Sequence, residues 1–550
     1  MYEKNIYDCF LENYELNPKK NFLKQYINNK NDFKYYSYEE VYNLALKLIL
    51  LMKDNDLSIN DKVAIIAKNS FEWVVFDIAV NLFGLVSVPI LPSATKENIQ
   101  YIVTHSKCNF IFIGKLDSYD EILSVLNHHT KILSLGSTSC PLKTTLIWDD
   151  VLKQPSIKQT MPQISINSTS SIIYTSGTSG EPKGVIVTHG NIYTAAQYIT
   201  ELVKLNCSDR FFSYLPLAHI TEKIYILSTA YLNGILISFP ANIESFSSNL
   251  KDCKPTIFIS VPRLWKIFKD KITEKIPSPI LKFLLSIPFV NQYIKKLIKS
   301  KLGLSSARIM GTGSAPIDKN LLHWYSRLDI FIIEAWGMTE SMGLGAINYP
   351  YNQHKIGSIG KPIKSFRIKL SETSEILINS KCLFKGYYQN KKFNENIFID
   401  NFFKTGDLGF FDNEGYLYIL GRINDAFKTA KGEYIHPARI EKIFLNFCNV
   451  DFVSTLGRGL DGPYLVVVAS IFSDSDKKKF NKKLQTAIKN TNNALSNHEK
   501  IIGVIVETHQ WTIDNGFLTP TLKIKRNKVE ERYTQYCNLF FENSIIQWID

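Results

Sequence analysis

The stretch 171-SIIYTSGTSGEPKGVIVTHGNI-192 decides the fold. An apolar run at 172–174 opens into Thr175, Ser176, Gly177, Thr178, Ser179 and Gly180; Lys183 and Gly184 follow, and a second apolar run occupies 185–187. Short apolar runs bounded by glycine and hydroxyl residues read as strands joined by a loop. Glycines let successive backbone N–H groups curl around an anion, the hydroxyls add donors, and lysine supplies a point charge, so phosphate is the ligand this composition fits. The nucleotide loop G-x-x-x-x-G-K-[ST] is excluded by spacing: counted from Gly177 it needs glycine where Pro182 stands, and from Gly180 where Val185 stands. A solvated Ser/Gly linker is the plain alternative, but such linkers do not usually sit between two runs this apolar.

Outward from this segment, β-like runs (KVAIIA, GLVSVPIL, FIFIG, TIFISVP, FIIEAWG) alternate with stretches of helical spacing such as 71–83 and 191–203. That alternation argues for parallel sheets covered by helices. From about residue 356 the texture changes to short strands with Gly and Asp turns, as in DLGFFDNEGYLYILGR. After LGRIND (420–425) a new unit begins, with helix 437–447, strand 464–472, a lysine-rich helix 477–494 and strand 501–508. The expected fold is α/β. A large N-terminal domain (1–421) of stacked, mostly parallel sheets with helices includes a β-rich subdomain (about 356–421), and a small, mobile α+β C-terminal lid domain covers 426–550.

A chain of 550 residues exceeds what one core serves, and 45% apolar with 21% charged residues excludes a disordered or fibrous protein. The net charge of +13 suits anionic ligands or an anionic membrane, and charge alone does not separate these from nucleic acid. The eight cysteines are scattered without a C-x-x-C pair, so free thiols in a reducing cytoplasm are expected. The N-terminus, MYEKNIYDCFLENYELN, lacks the apolar core of a signal peptide. The longest apolar stretch, 73–91, contains Asp77, Asn81 and Pro89 and reads as helix plus strand rather than a membrane span.

YTSGTSGEPKGV (174–185) resembles the signature of the adenylate-forming superfamily, the acyl-CoA synthetases, luciferases and peptide-synthetase adenylation domains, with Ser179 where a second threonine is usual. Further segments resemble that family in order along nearly the whole chain: YLPLAHITEKIY (214–225), GTGSAP (311–316), EAWGMTES (334–341), KTGDLG (404–409), GRINDAFKTAKGEYIHP (421–437) and LTPTLKIKR (518–526). The resemblance implies ATP, Mg²⁺ and CoA as co-substrates and cofactor. A carboxylate would attack the α-phosphorus of ATP, giving acyl-AMP and pyrophosphate, in a site that needs preplaced positive charge and donors.

By the same resemblance, the hydroxyl loop (Thr175 to Gly180) and Lys183 hold the outer phosphates, and Glu340 with Thr175 holds the metal. Gly313, Ser314, Ala315, Pro316, Glu334, Ala335, Trp336, Gly337, Met338 and Thr339 surround the adenine; Asp407 binds the ribose; Arg422 and Lys428 meet the nucleotide near the domain junction. Trp336 and Ala335 replace the family's tyrosine and glycine, and Asn424 stands where relatives carry lysine. Asp425 matches the hinge (422–425) about which the small domain swings, bringing Lys431, Gly432, Glu433 and Tyr434 to a pantetheine tunnel. Lys523 is the expected bridge between carboxylate and α-phosphate. Lys525 is the alternative, since two residues on it would share a face in a strand; a basic helix surface describes both equally well. Leu217, His219 and Thr221 line the acyl pocket, with His219 paired to Glu222 rather than acting as a base. Taken singly, Glu340 also reads as a surface carboxylate, Asp407 as a turn residue and Trp336 as a structural aromatic.

Residues 261–303 follow VPR with an amphipathic helix (280–289) and a lysine cluster, as in long-chain acyl-CoA synthetases. Such a segment suits an anionic membrane, or equally an ordinary core helix with a solvated lysine face. Beyond Lys523 only 27 residues remain, too few for a carrier domain. The expectation is a long-chain fatty acid–CoA ligase, cytoplasmic or peripheral on the inner membrane face, with fatty acid, ATP and CoA as partners and no nucleic acid. An acyl carrier protein remains as alternative acceptor, and a catalytically idle nucleotide- or lipid-binding relative as the rival from another class.

Overall fold

The two apolar runs around the glycine-rich loop form the antiparallel strands Thr169–Thr175 and Lys183–Thr188, with Ile173 opposite Val185 and Thr175 opposite Lys183. The computed structural model describes residues 4–549 apart from 29–31, 117–118, 120–121, 123–130, 136–144, 158–159, 176–180, 470–473, 520–521 and 538–544, so the loop Ser176, Gly177, Thr178, Ser179 and Gly180 lies outside the described residues. The hairpin belongs to an eight-stranded sheet. Thr169–Thr175 pairs parallel with Val86–Ile90, beyond which Lys62–Ile66, Phe110–Ile113, Lys131–Ser134 and Thr145–Ile147 continue in parallel. On the other side, Gly386–Tyr387 adds an antiparallel edge to Lys183–Thr188.

A nine-stranded sheet forms the second layer. Its centre, Leu236–Phe239, Arg210–Phe212, Ile257–Ser260, Ile309–Thr312 and Ile332–Gly337, is parallel. Antiparallel strands Gly345–Ile347 and Lys361–Pro362 close one edge; at the other, Asn21–Tyr26 pairs parallel with Leu236–Phe239 and antiparallel with Phe33–Ser37. A third, five-stranded antiparallel sheet is built around the long strand Phe402–Phe411, which pairs with Glu375–Asn379 and Leu417–Arg422.

Helix Phe71–Phe83 is buried at every position from Trp73 to Phe83, as a helix apolar on all sides must be. Its polar residues therefore need partners inside the protein. Asp77 accepts hydrogen bonds from Lys223 Nζ (2.9 Å) and Tyr7 Oη (2.9 Å), and Asn81 accepts one from Ser170 Oγ (2.6 Å). Both members of the Asp77–Lys223 pair are fully buried. One ion pair thus ties the first helix, the central helix and the segment carrying the acyl-site motif.

In the C-terminal module, strands Phe452–Leu456, Tyr464–Val468, Gly503–Glu507 and Ile546–Ile549 form a four-stranded sheet. Strand alternation sorts its side chains: Leu465 and Val467 pack with helices Pro437–Leu445 and Asp474–Asn493, while Tyr464, Val466 and Val468 pack with Val529 and Tyr533 of helix Arg526–Cys537. The predicted strands and helices of this unit are all present with shifted ends, and Ile546–Ile549 was not foreseen. The helix expected over 280–289 ends at Ser286, because Pro288 cannot continue the hydrogen-bond ladder, and a second helix runs from Val290 to Lys301.

Replacing Lys223 with methionine strands a buried carboxylate and should cost about 3–5 kcal/mol of stability. Urea unfolding checks this, and the double variant Asp77→Leu/Lys223→Met should recover much of the loss; no recovery would mean the pair is not the cause.

Candidate active site

Strands Ile309–Thr312 and Ile332–Gly337 run parallel, and the loops leaving their C-terminal ends, where open α/β sheets receive ligands, carry the expected adenine residues. Close backbone approach explains two glycines there. A Cβ on Gly313 would stand 3.3 Å from the Ala335 carbonyl oxygen, and one on Gly337 would meet the Gly343 carbonyl carbon at 2.2 Å. Met338 and the short turn Thr339–Ser341 follow, with Thr339 and Glu340 buried. Ser314, Ala315 and Pro316 are exposed. Glu334 turns its carboxylate to the Gly357 N–H (2.8 Å), and burial pushes its pKa up to about 7 against that hydrogen bond and the charges of Lys442 and Lys319.

Asp407 lies opposite Arg422 across the hairpin of the third sheet. Its carboxylate, nearly buried, accepts from Arg422 Nε (3.0 Å) and from the Trp336 indole N–H (2.9 Å). The tryptophan that replaces the family's tyrosine thus donates directly to the expected ribose ligand.

Glu340 is reached from the hairpin side. Tyr387, on the edge strand beside Val185, donates its hydroxyl to Glu340 Oε1 at 2.6 Å. The Lys183 ammonium lies 3.6 Å from the centroid of the Phe393 ring and 5.6 Å from that of Tyr387. Desolvation lowers the Lys183 pKa, and the Glu340 charge opposes the shift. Thr175 closes the strand with its hydroxyl directed at the Lys183 carbonyl oxygen (3.5 Å).

From the C-terminal module comes Lys523. It sits neither in a strand nor on a helix but in a tight turn, where Leu518 bridges Ile524 and Leu522 takes a left-handed φ of 61°. This turn separates the two candidate lysines. Lys523 is within electrostatic reach of Arg422, Asp407 and Glu340; desolvation lowers its pKa first and Arg422 adds to the shift, while the two carboxylates resist it. Lys523 is nonetheless an exposed residue. Lys525 instead is within electrostatic reach of Glu97, a residue of the helix Lys96–Ser106.

His219 is drawn into the same cluster: desolvation and then the Lys523 charge hold its pKa down to about 4, leaving a neutral ring. The expected pairing with Glu222 is absent. His219 Nδ1 accepts from the Thr221 N–H (3.3 Å), and Glu222 Oε1 has no partner among the described residues. The reason is local, since Glu222 opens a buried turn of π-helix, Glu222–Ser228, that turns its carboxyl into the protein. Burial raises the Glu222 pKa to about 8, with Ser213 and the Tyr214 backbone opposing. Leu217 is buried beside this segment.

Asp425 is gripped by Arg526 (3.1 Å), whose guanidinium also forms a two-pronged pair with Glu441 at 2.6 and 2.7 Å. Lys428 stacks over Tyr434 (4.8 Å to the ring centroid), and Lys431, Gly432, Glu433 and Tyr434 form an exposed turn apart from the Lys523 cluster. The structure therefore joins Trp336 and Arg422 to Asp407, sets Lys183 within electrostatic reach of Glu340, and sets Lys523 within reach of both carboxylates and of His219, while Lys428 and residues 431–434 are exposed. Tyr387, Phe393 and the buried state of Glu222 escaped sequence reading; the two-residue strand at Tyr387 is too short for any periodicity to mark it.

The gathered groups offer two lysines, an arginine, two carboxylates and an indole ring, a set suited to a nucleotide and a second anion. The family model for AMP-binding enzymes matches residues 10–388. The chain is 24% identical to long chain acyl-CoA synthetase 3 of Arabidopsis thaliana, over 96% of this chain and 90% of that protein. It is 27% identical to long-chain-fatty-acid–CoA ligase 5 of Mus musculus, over 93% and 85%. Among solved structures it resembles the anthranilate CoA ligase AuaEII in complex with anthranoyl-AMP, with a TM-score of 0.79 at 20% identity, covering 98% of this chain and 99% of that one. It also resembles O-succinylbenzoate coenzyme A synthetase (MenE) from Bacillus subtilis, in complex with ATP and magnesium ion, with a TM-score of 0.72 at 20% identity, covering 94% and 98%. Shared sheets, ordered motifs and a family match over more than half of its length lead to one assignment: the chain belongs to the AMP-binding enzyme family, the adenylate-forming superfamily whose motifs it carries.

Proposed function

We propose that this protein is an ATP-dependent acyl-CoA ligase acting on long-chain fatty acids. The fatty carboxylate attacks the α-phosphorus of ATP and expels pyrophosphate; the CoA thiol then attacks the acyl carbonyl and expels AMP. The observation that carries the reading is the hold of Trp336 and Arg422 on Asp407, with Lys523 of the C-terminal module within electrostatic reach of the same carboxylate. The long-chain assignment is supported by the plant and mouse relatives, both named for long-chain substrates.

In this reading, Lys523 offsets the charge that gathers between the incoming carboxylate and the α-phosphate, where a preplaced cation is worth most. Asp407 accepts from the ribose hydroxyls, and Trp336 and Arg422 keep it oriented. Lys183, with the loop of Thr175 to Gly180, holds the departing phosphates. His219, being neutral, adds no charge to the acyl pocket it shares with Leu217 and Thr221. Glu340 fits a magnesium ion: it is a buried carboxylate with one oxygen fixed by Tyr387, next to a lysine that would face the phosphates. Among the described residues there is no cluster of three or more His, Cys, Asp or Glu, so an ion there would complete its octahedron with Thr175, phosphate oxygens and water. When bound, it would supply charge neutralisation on the phosphates. The domain limits 1–421 and 426–550, with Asp425 between, follow the same proposal. The described arrangement is the one suited to adenylation, and residues 431–434 would reach the cleft only after the small domain turns.

Purified protein given ATP, Mg²⁺, fatty acids of graded length and either CoA or an acyl carrier protein should release AMP and form acyl-CoA, best with long chains. No AMP from any acid overturns the ligase reading, and thioester on the carrier alone moves the acceptor to the carrier protein. Lys523→Ala should slow acyl-AMP formation by about 100- to 1000-fold, while Lys525→Ala leaves it near normal; the reverse order would assign the role to Lys525. Because the Lys523 pKa is lowered and the charged form is the active one, adenylation should fall off at a pH below the range of an ordinary lysine. Lys523→Arg, which stays charged, should remove that alkaline limb whatever its absolute rate. Tyr387→Phe should raise the Mg²⁺ concentration needed for half-maximal rate by roughly tenfold, the equivalent of one hydrogen bond to a charged group, with little change in the KM for fatty acid.

A further inference from the structure

Helix Lys96–Ser106 buries Ile99 and Ile102 with apolar residues of the eight-stranded sheet. Beside that face, Glu97, Tyr101 and His105 recur every four residues and so form one stripe along the helix. With Gln100 and Thr104 they line a groove of about 450 Å³. Within the stripe the Tyr101 and His105 rings stack, with centroids 5.3 Å apart and planes 16° from parallel.

The stripe reaches the hairpin of strands Thr169–Thr175 and Lys183–Thr188. Side chains alternate across a strand, so Thr175 and its partner Lys183 project from one face of the hairpin, and Tyr174 and Gly184 belong to the other. On that other face Tyr174 Oη lies 2.7 Å from His105 Nδ1, with the two rings at 86°. Burial pushes the Tyr174 phenol well above its ordinary pKa, so the hydroxyl keeps its proton and is available to donate to Nδ1. Tyr388 packs edge-on to His105 (5.7 Å, 78°) and donates its backbone N–H to the Gly184 carbonyl oxygen (2.8 Å). The hairpin is tight here: a Cβ on Gly184 would stand 2.8 Å from Ile172 Cγ2 and 3.1 Å from Tyr174 Cζ.

Tyr101, four residues before His105, is within electrostatic reach of Glu181. Tyr174 precedes the loop of Thr175 to Gly180 and Glu181 follows it, so one helix attends both ends of that loop. Packing alone does not call for these polar groups. Tyr101, His105 and Tyr174 are half-buried, and a phenylalanine at 174 would fill the same space without tying down a hydroxyl. What the hydrogen bond adds is direction: it fixes the roll of a strand whose opposite face carries Thr175 and faces Lys183.

We propose that His105 is a positioning residue for ATP, acting through its hydrogen bond to Tyr174 to set the hairpin that presents Thr175 and Lys183 to the outer phosphates. The inference rests on the reading above in which this hairpin holds those phosphates. His105→Ala and Tyr174→Phe should each raise the KM for ATP by roughly 5- to 10-fold, the equivalent of one hydrogen bond. Inhibition by added pyrophosphate should weaken by the same factor, while kcat and the KM for fatty acid stay near normal. Because both variants break one bond, the double variant should be no worse than either alone. His105→Asn, whose amide oxygen accepts in place of Nδ1, should restore most of the affinity, and Gln100→Ala, in the same groove, should behave as the unaltered protein. A fall in kcat with the KM for ATP unmoved would mean that the cluster only packs, and would overturn the proposal. So would additive losses in the double variant, no rescue by His105→Asn, or an equal loss in Gln100→Ala. The same shifts read as Kd for ATP and Mg²⁺ by calorimetry do not require turnover. Absence of AMP from every acid, with those Kd shifts present, would therefore sink the ligase reading and leave this inference standing.

Discussion

A nearly buried carboxylate needs donors, and Asp407 recruits them from two directions. Trp336 reaches it from the last parallel strand of the nine-stranded sheet, and Arg422 from the end of the third sheet, where the chain leaves for the C-terminal module. Two hydrogen bonds to one carboxylate thus join the nine-stranded sheet to the third sheet at the point where the chain leaves for the C-terminal module. The bond from Arg422 is charge-assisted, although its guanidinium side is half exposed. A tyrosine in place of Trp336 would stack equally well but carries no N–H, so the tryptophan alters how the carboxylate is held, not only what it is held against.

The large features of the fold were legible because burial repeats with a period. Helix 71–83 lay where the pattern placed it, since a long apolar segment bounded by Ser70 and Gly84 leaves little choice. Strand–helix alternation correctly indicated stacked, mostly parallel sheets, and the turn-rich segment after residue 356 became an antiparallel sheet. The pattern failed where elements are short or local chemistry overrules periodicity. Residues 280–289 kept helical spacing through Pro288, yet proline ends the helix. Ile546–Ile549 is too brief to register as a strand without the sheet edge it completes.

The site was legible to the extent that its residues lie in contiguous motifs. Glu340, Asp407, Arg422 and Lys183 could be named because each sits in a recognisable string, and the structure brings them together. Three features were not readable. The contact of Tyr387 with Glu340 spans 47 residues and depends on an edge strand of two. The pairing expected for His219 and Glu222 rested on their nearness in sequence, and the π-helical turn that Glu222 opens turns its carboxyl away. The different surroundings of Lys523 and Lys525 accompany one left-handed residue, Leu522: the first lies within electrostatic reach of Asp407 and the second of Glu97. Each is a matter of a few backbone angles, which side-chain chemistry does not announce.

Arg526 fixes the segment by which the chain enters its C-terminal module. Its guanidinium clamps Asp425 and Glu441 at once, so Asp425, although it precedes the C-terminal sheet, is bolted to that module. On the other side, Arg422 is anchored to Asp407. Only Ile423 and Asn424 remain between two fixed points, an axle two residues long. In the turning of the small module proposed above, the torsions of those residues take up the change, and the clamp, more than the length of the linker, sets the radius of the swing.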